Sequence, residues 1–420
     1  MNSPTALVTI LWATLLFGEF DRVGGTVAHA QTARFATFNV SLYDTAEGKL
    51  TERLSAPGDP QASALAEIIQ RVRPDVILLN EFDYDATGSA ITHFQKNYLS
   101  IAQNVSHSPD GAAEPIEFPH KFLAPSNTGQ PSGYDLDRNG QVVSTPGSSN
   151  YGGDCWGYGE YPGKYAMVVL SRYPIDQRAV RTFQKFRWKD MPAARLPDNL
   201  ATDAPADWYS TEALAHFPLS SKSHWDVPIQ IAGRTIHALV SHPTPPTYDG
   251  LEDRNGRRNH DEIRLWVDYI TPGAGSYLYD DSGTKGGLPA SEYFVIMGDL
   301  NGDPTDGQGK EGIARLLASP RVSTLPAPSS EGGAEQAILQ GGANTTHQGD
   351  PRLDTLDASD RDGPGNLRVD YVLPARTTKT LASGVFWPKN DDKLFPLVGT
   401  HPFPSSDHRL VWIDIEIVGR

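Results

Sequence analysis

Val295-Ile296-Met297-Gly298-Asp299-Leu300-Asn301-Gly302-Asp303-Pro304 decides how this chain is read. An apolar run ends in a glycine, an acid and, two positions on, an amide. Side chains two apart along a strand share a face, so Asp299 and Asn301 are expected to emerge together where the strand ends. Gly298 and Gly302 permit close backbone approach. A carboxylate beside a carboxamide suits attack of water on phosphorus, the first taking the proton and the second steadying the oxygens.

Five further stretches repeat the pattern. Phe35-Ala36-Thr37-Phe38-Asn39 delivers an asparagine, Pro74-Asp75-Val76-Ile77-Leu78-Leu79-Asn80-Glu81 a glutamate, and Ile236-His237-Ala238-Leu239-Val240-Ser241-His242-Pro243 a histidine. Arg368-Val369-Asp370-Tyr371-Val372-Leu373 and Ser405-Ser406-Asp407-His408-Arg409-Leu410-Val411 complete the set. Continuous apolar runs mark strands covered on both faces. One sheet edge is therefore expected to carry Asn39, Glu81, His242, Asp299 with Asn301, Asp370, and Asp407 with His408. Taken singly, each is an ordinary turn residue or solvated carboxylate. Their order along the chain carries the inference.

That order, with Gly298-Asp299-Leu300-Asn301 and Ser406-Asp407-His408, resembles the endonuclease/exonuclease/phosphatase superfamily, which includes pancreatic deoxyribonuclease, apurinic endonucleases, sphingomyelinases and inositol polyphosphate 5-phosphatases. The resemblance runs from Phe35 to about Ile417. Residues 38–43, 79–83 and 219–226 look like a secreted bacterial branch. The fold implied is α/β, a four-layer α/β/β/α sandwich of two packed mixed β-sheets flanked by helices, with the site at one end.

The resemblance also implies roles. Glu81 is the principal ligand of a divalent cation, Asn39 stands close by on metal or phosphate, and Asp407 adds a carboxylate. Hard oxygen ligands suit Mg²⁺ or Mn²⁺, or Ca²⁺, better than zinc. Asp299 positions or deprotonates water, and Asn301 holds phosphoryl oxygens. His408 donates to a phosphate oxygen while Asp370 orients its imidazole. His242 is the general acid at the leaving oxygen. Its usual acidic partner has no clear counterpart, because the comparable strand, 164–172, offers Tyr165 instead.

Three further motifs each keep two readings. In Asn255-Gly256-Arg257-Arg258-Asn259-His260-Asp261-Glu262-Ile263-Arg264, Arg257, Arg258 and Asn259 are expected to meet a substrate phosphate at a helix N-terminus, in a turn similar to one in the inositol phosphatase branch. The alternative is a charged network on a solvated helix face. Asp135-Leu136-Asp137-Arg138-Asn139-Gly140 matches the first half of a calcium loop through Asp135, Asp137 and Asn139. Pro146 stands where the bidentate glutamate belongs, so a Ca²⁺-stabilised insertion competes with a plain turn. Lys222, His224 and Asp226 either line the site or form a buried polar network.

Residues 1–30 read as a secretory signal. Their apolar core, 6–17, is too short to span a bilayer, and Ala28-His29-Ala30 offers a cleavage site. No Lys or Arg precedes that core. The expected product is a secreted or periplasmic domain, 31–420, with loop insertions near 104–160, 183–222, 271–290 and 304–365. No transmembrane span is expected after cleavage. The single cysteine, Cys155, excludes an intrachain disulfide and argues against a thiolate zinc cluster. Formal charge is −15, which disfavours a tight duplex binder, since backbone affinity comes from neutralising phosphates.

The expected function is a secreted divalent-metal-dependent phosphoesterase acting on a small or sugar-linked phosphomonoester or phosphodiester. A secreted nuclease of the same fold is the alternative, and a non-catalytic surface binding protein the second. Binding alone would not retain both an acid and a water-positioning pair, which weighs against the last.

Overall fold

The apolar runs become strands in the computed structural model, which describes Met1 and residues 30–419. The signal segment, 1–30, lies outside the described residues apart from its two end positions. Eleven strands are numbered in chain order: β1 (Ala30–Leu42), β2 (Val76–Phe82), β3 (His120–Phe122), β4 (Met167–Ser171), β5 (Arg181–Thr182), β6 (His224–Ile231), β7 (Arg234–Ser241), β8 (Tyr293–Asp299), β9 (Asp370–Pro374), β10 (Lys379–Val385) and β11 (Val411–Val418). They form a six-stranded sheet, β10-β11-β1-β2-β4-β3, and a five-stranded sheet, β5-β6-β7-β8-β9. Both are mixed, and helices flank both.

Period-two alternation builds the layers. On β8, Val295 and Met297 join the core between the sheets, with Phe38, Val240 and Val372. Phe294 and Ile296 point the other way, into a second core with Ile263, Trp266 and Ile270 of the helix Arg254–Ile270. The outer face of the first sheet is covered by the helix Pro60–Val72 through Leu65, Ile68 and Ile69. Asp59 caps that helix by accepting from Ala62 N at 2.8 Å, and Pro60 fills its first position. Each fully buried aliphatic side chain here contributes roughly 1.5–3 kcal/mol.

Strand direction places the site. β1 and β2 are parallel, as are β7 and β8, so the C-terminal ends of each pair share an edge. β9 and β11 run antiparallel to their neighbours, so it is their first residues that reach that edge. Asp370 opens β9, and Ser405–Leu410 is a loop ahead of β11. One expectation is corrected: Asn39 does not end its strand, because β1 runs on past a register shift to Leu42. The first and last described strands pair in one sheet, with Ala30 opposite Val418.

The stretch 104–160, read as an insertion, supplies edge strand β3, which pairs with β4. The stretch 304–365 carries the helices Lys310–Leu317 and Glu331–Gln340. Among the described residues, no helix is long and apolar enough to cross a membrane.

Candidate active site

Close approach of β7 and β8 begins the site. A Cβ on Gly298 would lie 2.0 Å from Ser241 O, so only glycine fits there. Beyond it, Asn301 adopts left-handed backbone, φ 50°, as does Glu81, φ 56°, at the end of β2. That conformation costs roughly 1–2 kcal/mol in a residue with a Cβ. At Asn301 it is offset by a local bond, its N–H donating to Asp299 Oδ1 at 2.9 Å.

The side chains converge. Asn39 Nδ2 donates to Asp299 Oδ2 at 3.1 Å and lies 3.5 Å from His408 Nε2. His242 Nε2 is 3.4 Å from Asp299 Oδ2 and 4.0 Å from Glu81 Oε1. His408 Nδ1 sits 2.9 Å from Asp370 Oδ2, with its Nε2 3.8 Å from Asp299. Ser41 Oγ donates to Asp407 Oδ1 at 3.0 Å. Asn301 Nδ2 spends one hydrogen on Pro243 O at 3.1 Å. Ser41, Glu81, His242, Asp299, Asn301, Asp407 and His408 line a cleft of about 1300 Å³, with Tyr43 and Tyr165 on its wall and Asn39 and Asp370 buried behind it.

Several residues holding this set were not singled out from sequence. Asn80 Oδ1 accepts from Thr37 Oγ1 and from Asp299 N. Thr355 Oγ1 accepts from the N–H groups of Val369 and Asp370. Asn80, directly before Glu81, could have been flagged as a polar residue inside an apolar run. Thr355 sits in an irregular stretch and carries no such signal.

Burial and neighbouring charge pull the titrating groups apart. Burial opposes charge on His408, yet Asp370 and Asp299 outweigh it and hold its pKa well above the usual histidine value. His242 goes the other way: burial first, then Lys222 and His408, drive it well below 6.5. It is neutral at pH 7 in the free site, and its Nδ1 has no partner. Burial raises Asp299 to about 7, with Asp370 adding to the effect against the pull of His408.

A divalent cation fits one side of this cleft. Burial raises the Glu81 pKa and Asp407 adds to it, against the pull of His408 and Asn39. No Lys or Arg of the described residues is paired with either carboxylate, so a cation is what the pair lacks. Asn80 Nδ2, next to Glu81, is also without a partner. The donors are hard oxygens, matching Mg²⁺ or Mn²⁺. Asp299, Asp370 and His408 also bring ligand-type atoms within 4.8 Å of one another. There His408 already stands between the two acids, hydrogen-bonded to Asp370 at 2.9 Å and 3.8 Å from Asp299.

Other predicted residues go elsewhere. Arg257 points to Leu196 O and Asp198. Asn259 Nδ2 donates to the carbonyls of Thr244, Leu300 and Asn301, tying the His242 loop to the Asp299 loop. Both are absent from the cleft lining, which takes Arg254, Asn255 and Arg258 from the same turn. The helix turns Arg257 and Asn259 off the face that Arg258 presents. Asp135 and Asp137 are joined by Asp154, with one oxygen each within 4.8 Å, a set that could hold a cation. Asn139 instead donates to Asp137. His224 and Asp226 belong to buried networks, bonded to Ser220 and Glu262 O and to His237 and Tyr269 respectively, while Lys222 lines the cleft.

Several solved structures align with most of this chain at low identity. An endonuclease/exonuclease/phosphatase from Beutenbergia cavernae is 18% identical with a TM-score of 0.45, over 92% of this chain and 72% of its own. Sphingomyelinase C from Streptomyces griseocarneus is 14% identical with a TM-score of 0.44, over 91% of this chain and 99% of its own. A family protein from Leptotrichia buccalis gives 14% and 0.43, over 92% of this chain and 100% of its own. No curated protein matches the sequence. The family model described as Endonuclease/Exonuclease/phosphatase family matches residues 36–408, a span that begins beside Asn39 and ends on His408, and the chain belongs to that family.

Proposed function

We propose that the protein is a secreted, divalent-metal-dependent phosphoesterase that hydrolyses a small or sugar-linked phosphoester by in-line attack of water. The observation that carries this is the meeting of Asn39, His242 and His408 around Asp299 in an open cleft. Glu81, Asp407 and Asn39 would hold Mg²⁺ or Mn²⁺, which when bound supplies charge neutralisation at the phosphoryl oxygens.

The chain's own residues do the rest. Asp299, once ionised, orients a water and accepts its proton as the oxygen bonds to phosphorus. The imidazolium of His408 and the amides of Asn39 and Asn301 hold the nonbridging oxygens as charge builds. The bond to the leaving oxygen breaks, and that oxygen takes a proton from His242. Because His242 is neutral in the free site, this proton has to reach it first, and Asp299, 3.4 Å away, is the nearest source.

An assay panel tests the reading: purified protein with Mg²⁺, Mn²⁺ or Ca²⁺ against p-nitrophenyl phosphate, bis-(p-nitrophenyl) phosphate, phytate and plasmid DNA. Metal-dependent turnover of the small esters is expected. Turnover of DNA alone would replace this reading with a nuclease, and turnover of none would leave a binding protein.

A further inference from the structure

Lys222 and Arg258 stand out on charge. Lys222 is 6% exposed and Arg258 7% exposed, yet neither has a salt-bridge partner among the described residues. Nε and Nη2 of Arg258 donate to Leu219 O and Pro218 O, which are neutral, and its third nitrogen is uncommitted. Lys222 sees Glu262, Glu81 and Asp299 only at a distance. Glu262 is fully buried, but its oxygens are taken by the N–H groups of Ser221 and Thr244, at 2.6 Å each, and by Ser221 Oγ. Lys222 and Arg258 are therefore two buried cations with no carboxylate bonded to them: Glu262 is committed to other donors, and Glu81 and Asp299 act on Lys222 only across the cleft.

Burying an ammonium or guanidinium without an anion costs several kcal/mol, and a protein of net charge −15 does not lack acids to pair them. Both side chains line the cleft that holds Asp299 and His242. Their surroundings are rigid, since Glu262 ties the segment before β6 to the loop after β7. Arg254 lines the same cleft but is already paired with Glu252.

We propose that Lys222 and Arg258 form an anion subsite beside the reacting phosphorus, taking negative charge beyond that of a phosphodiester monoanion. The ligand class is a multiply charged phosphate: the dianion of a terminal monoester, or a second phosphate on the same small molecule. This deepens the phosphoesterase reading and rests on it for the identity of the substrate. Charge-assisted bonds from both residues would draw such a ligand to the cleft.

The test measures binding to the full chain, stripped of metal with EDTA, by titration calorimetry. Inorganic pyrophosphate is expected to bind at least about tenfold more tightly than dimethyl phosphate, a difference of about 1.4 kcal/mol. Lys222→Met and Arg258→Met should each bring that ratio towards one, and Lys222→Arg should keep it. A wild-type ratio near one overturns the subsite without need of any variant. So does an unchanged ratio in Lys222→Met, which would mean that Lys222 only balances Glu81 and Asp299 across the cleft. With Mg²⁺ or Mn²⁺ restored to the same proteins, Lys222→Met should raise KM for p-nitrophenyl phosphate more than for bis-(p-nitrophenyl) phosphate. Preferential pyrophosphate binding by a protein that hydrolyses no ester would preserve the subsite and remove the phosphoesterase reading. An active enzyme with a ratio near one would do the reverse.

Discussion

Asp370 Oδ2 lies 2.9 Å from His408 Nδ1, across 38 residues of sequence, because β9 and β11 both begin at the same end of the sandwich. The contact fixes the imidazole so that Nε2 faces Asp299, and it keeps the ring charged well above the usual histidine range. Asp370→Asn retains the shape and removes the charge. It is expected to lower kcat by about 10–100-fold on every ester, with KM little changed. Equal kinetics in wild type and variant would show the pair to be structural.

Glu81 and Asp407 stand without a basic partner, so removing the cation should leave their repulsion uncompensated. Dialysis against EDTA is expected to abolish hydrolysis and lower Tm, and Mg²⁺ or Mn²⁺ should restore both. Glu81→Gln should weaken metal restoration of Tm while leaving the metal-free Tm equal or higher. Full activity after exhaustive chelation would remove the metal from this account.

Gly298 is a local test of the architecture. A methyl group there would meet Ser241 O at 2.0 Å, and backbone cannot move aside as a flexible side chain can. Gly298→Ala is expected to cost about 3–5 kcal/mol in urea unfolding, at the upper end for single substitutions. A cost below about 1 kcal/mol would mean that β7 and β8 separate easily, and that Asp299 is not rigidly held.

What the sequence made legible follows from how local each signal is. Asn39, Glu81, His242 and Asp299 close apolar runs, and a run's end is a local event, so their shared edge could be read before any fold was known. Asp370 and His408 were assigned to the same edge, but their position at strand starts depends on antiparallel pairing with β8 and β1, which period-two patterning does not encode. The arginine turn reads as one unit in the sequence, and it divides for a similar reason. Residues 257–259 are adjacent in sequence, yet successive helix positions point about 100° apart, so Arg258 reaches the cleft while Arg257 faces Asp198. Lys222 was visible only as one of two readings. Its lack of a partner is a tertiary fact.

Asp354 gives a pH dependence that can be checked away from the reacting groups. It is 7% exposed, and burial, with Asp303, Asp306 and Asp350 adding, raises it to about 8 from 3.8. The folded state therefore holds a proton that the unfolded state has released between about pH 4 and pH 8. Stability from this group is present below pH 4 and declines as pH rises through that window. Asp354→Asn removes the ionisable group while keeping the shape. Its Tm should exceed wild type by about 2–5 °C at pH 8.5, with the gap closing by pH 4. A constant gap at all pH values would mean that the raised pKa is not what destabilises the protein.

His242 and His408 should divide the work by leaving group. In the proposed mechanism His408 holds the nonbridging oxygens, so His408→Ala is expected to cost about 10²–10³-fold on every substrate. His242 is placed to serve the leaving oxygen, and that need depends on what leaves. Nitrophenolate departs with little help from a proton, whereas a sugar alkoxide requires one. His242→Ala should therefore spare p-nitrophenyl phosphate within about tenfold and cripple phytate by about 10²-fold or more. The depressed pKa of His242 sharpens the test. If its proton comes from Asp299, Asp299→Asn should erase the difference between the two substrates along with most of the rate. Equal losses on both esters in His242→Ala would instead assign the histidine to holding Asp299 in place, 3.4 Å away, with the leaving group departing unprotonated.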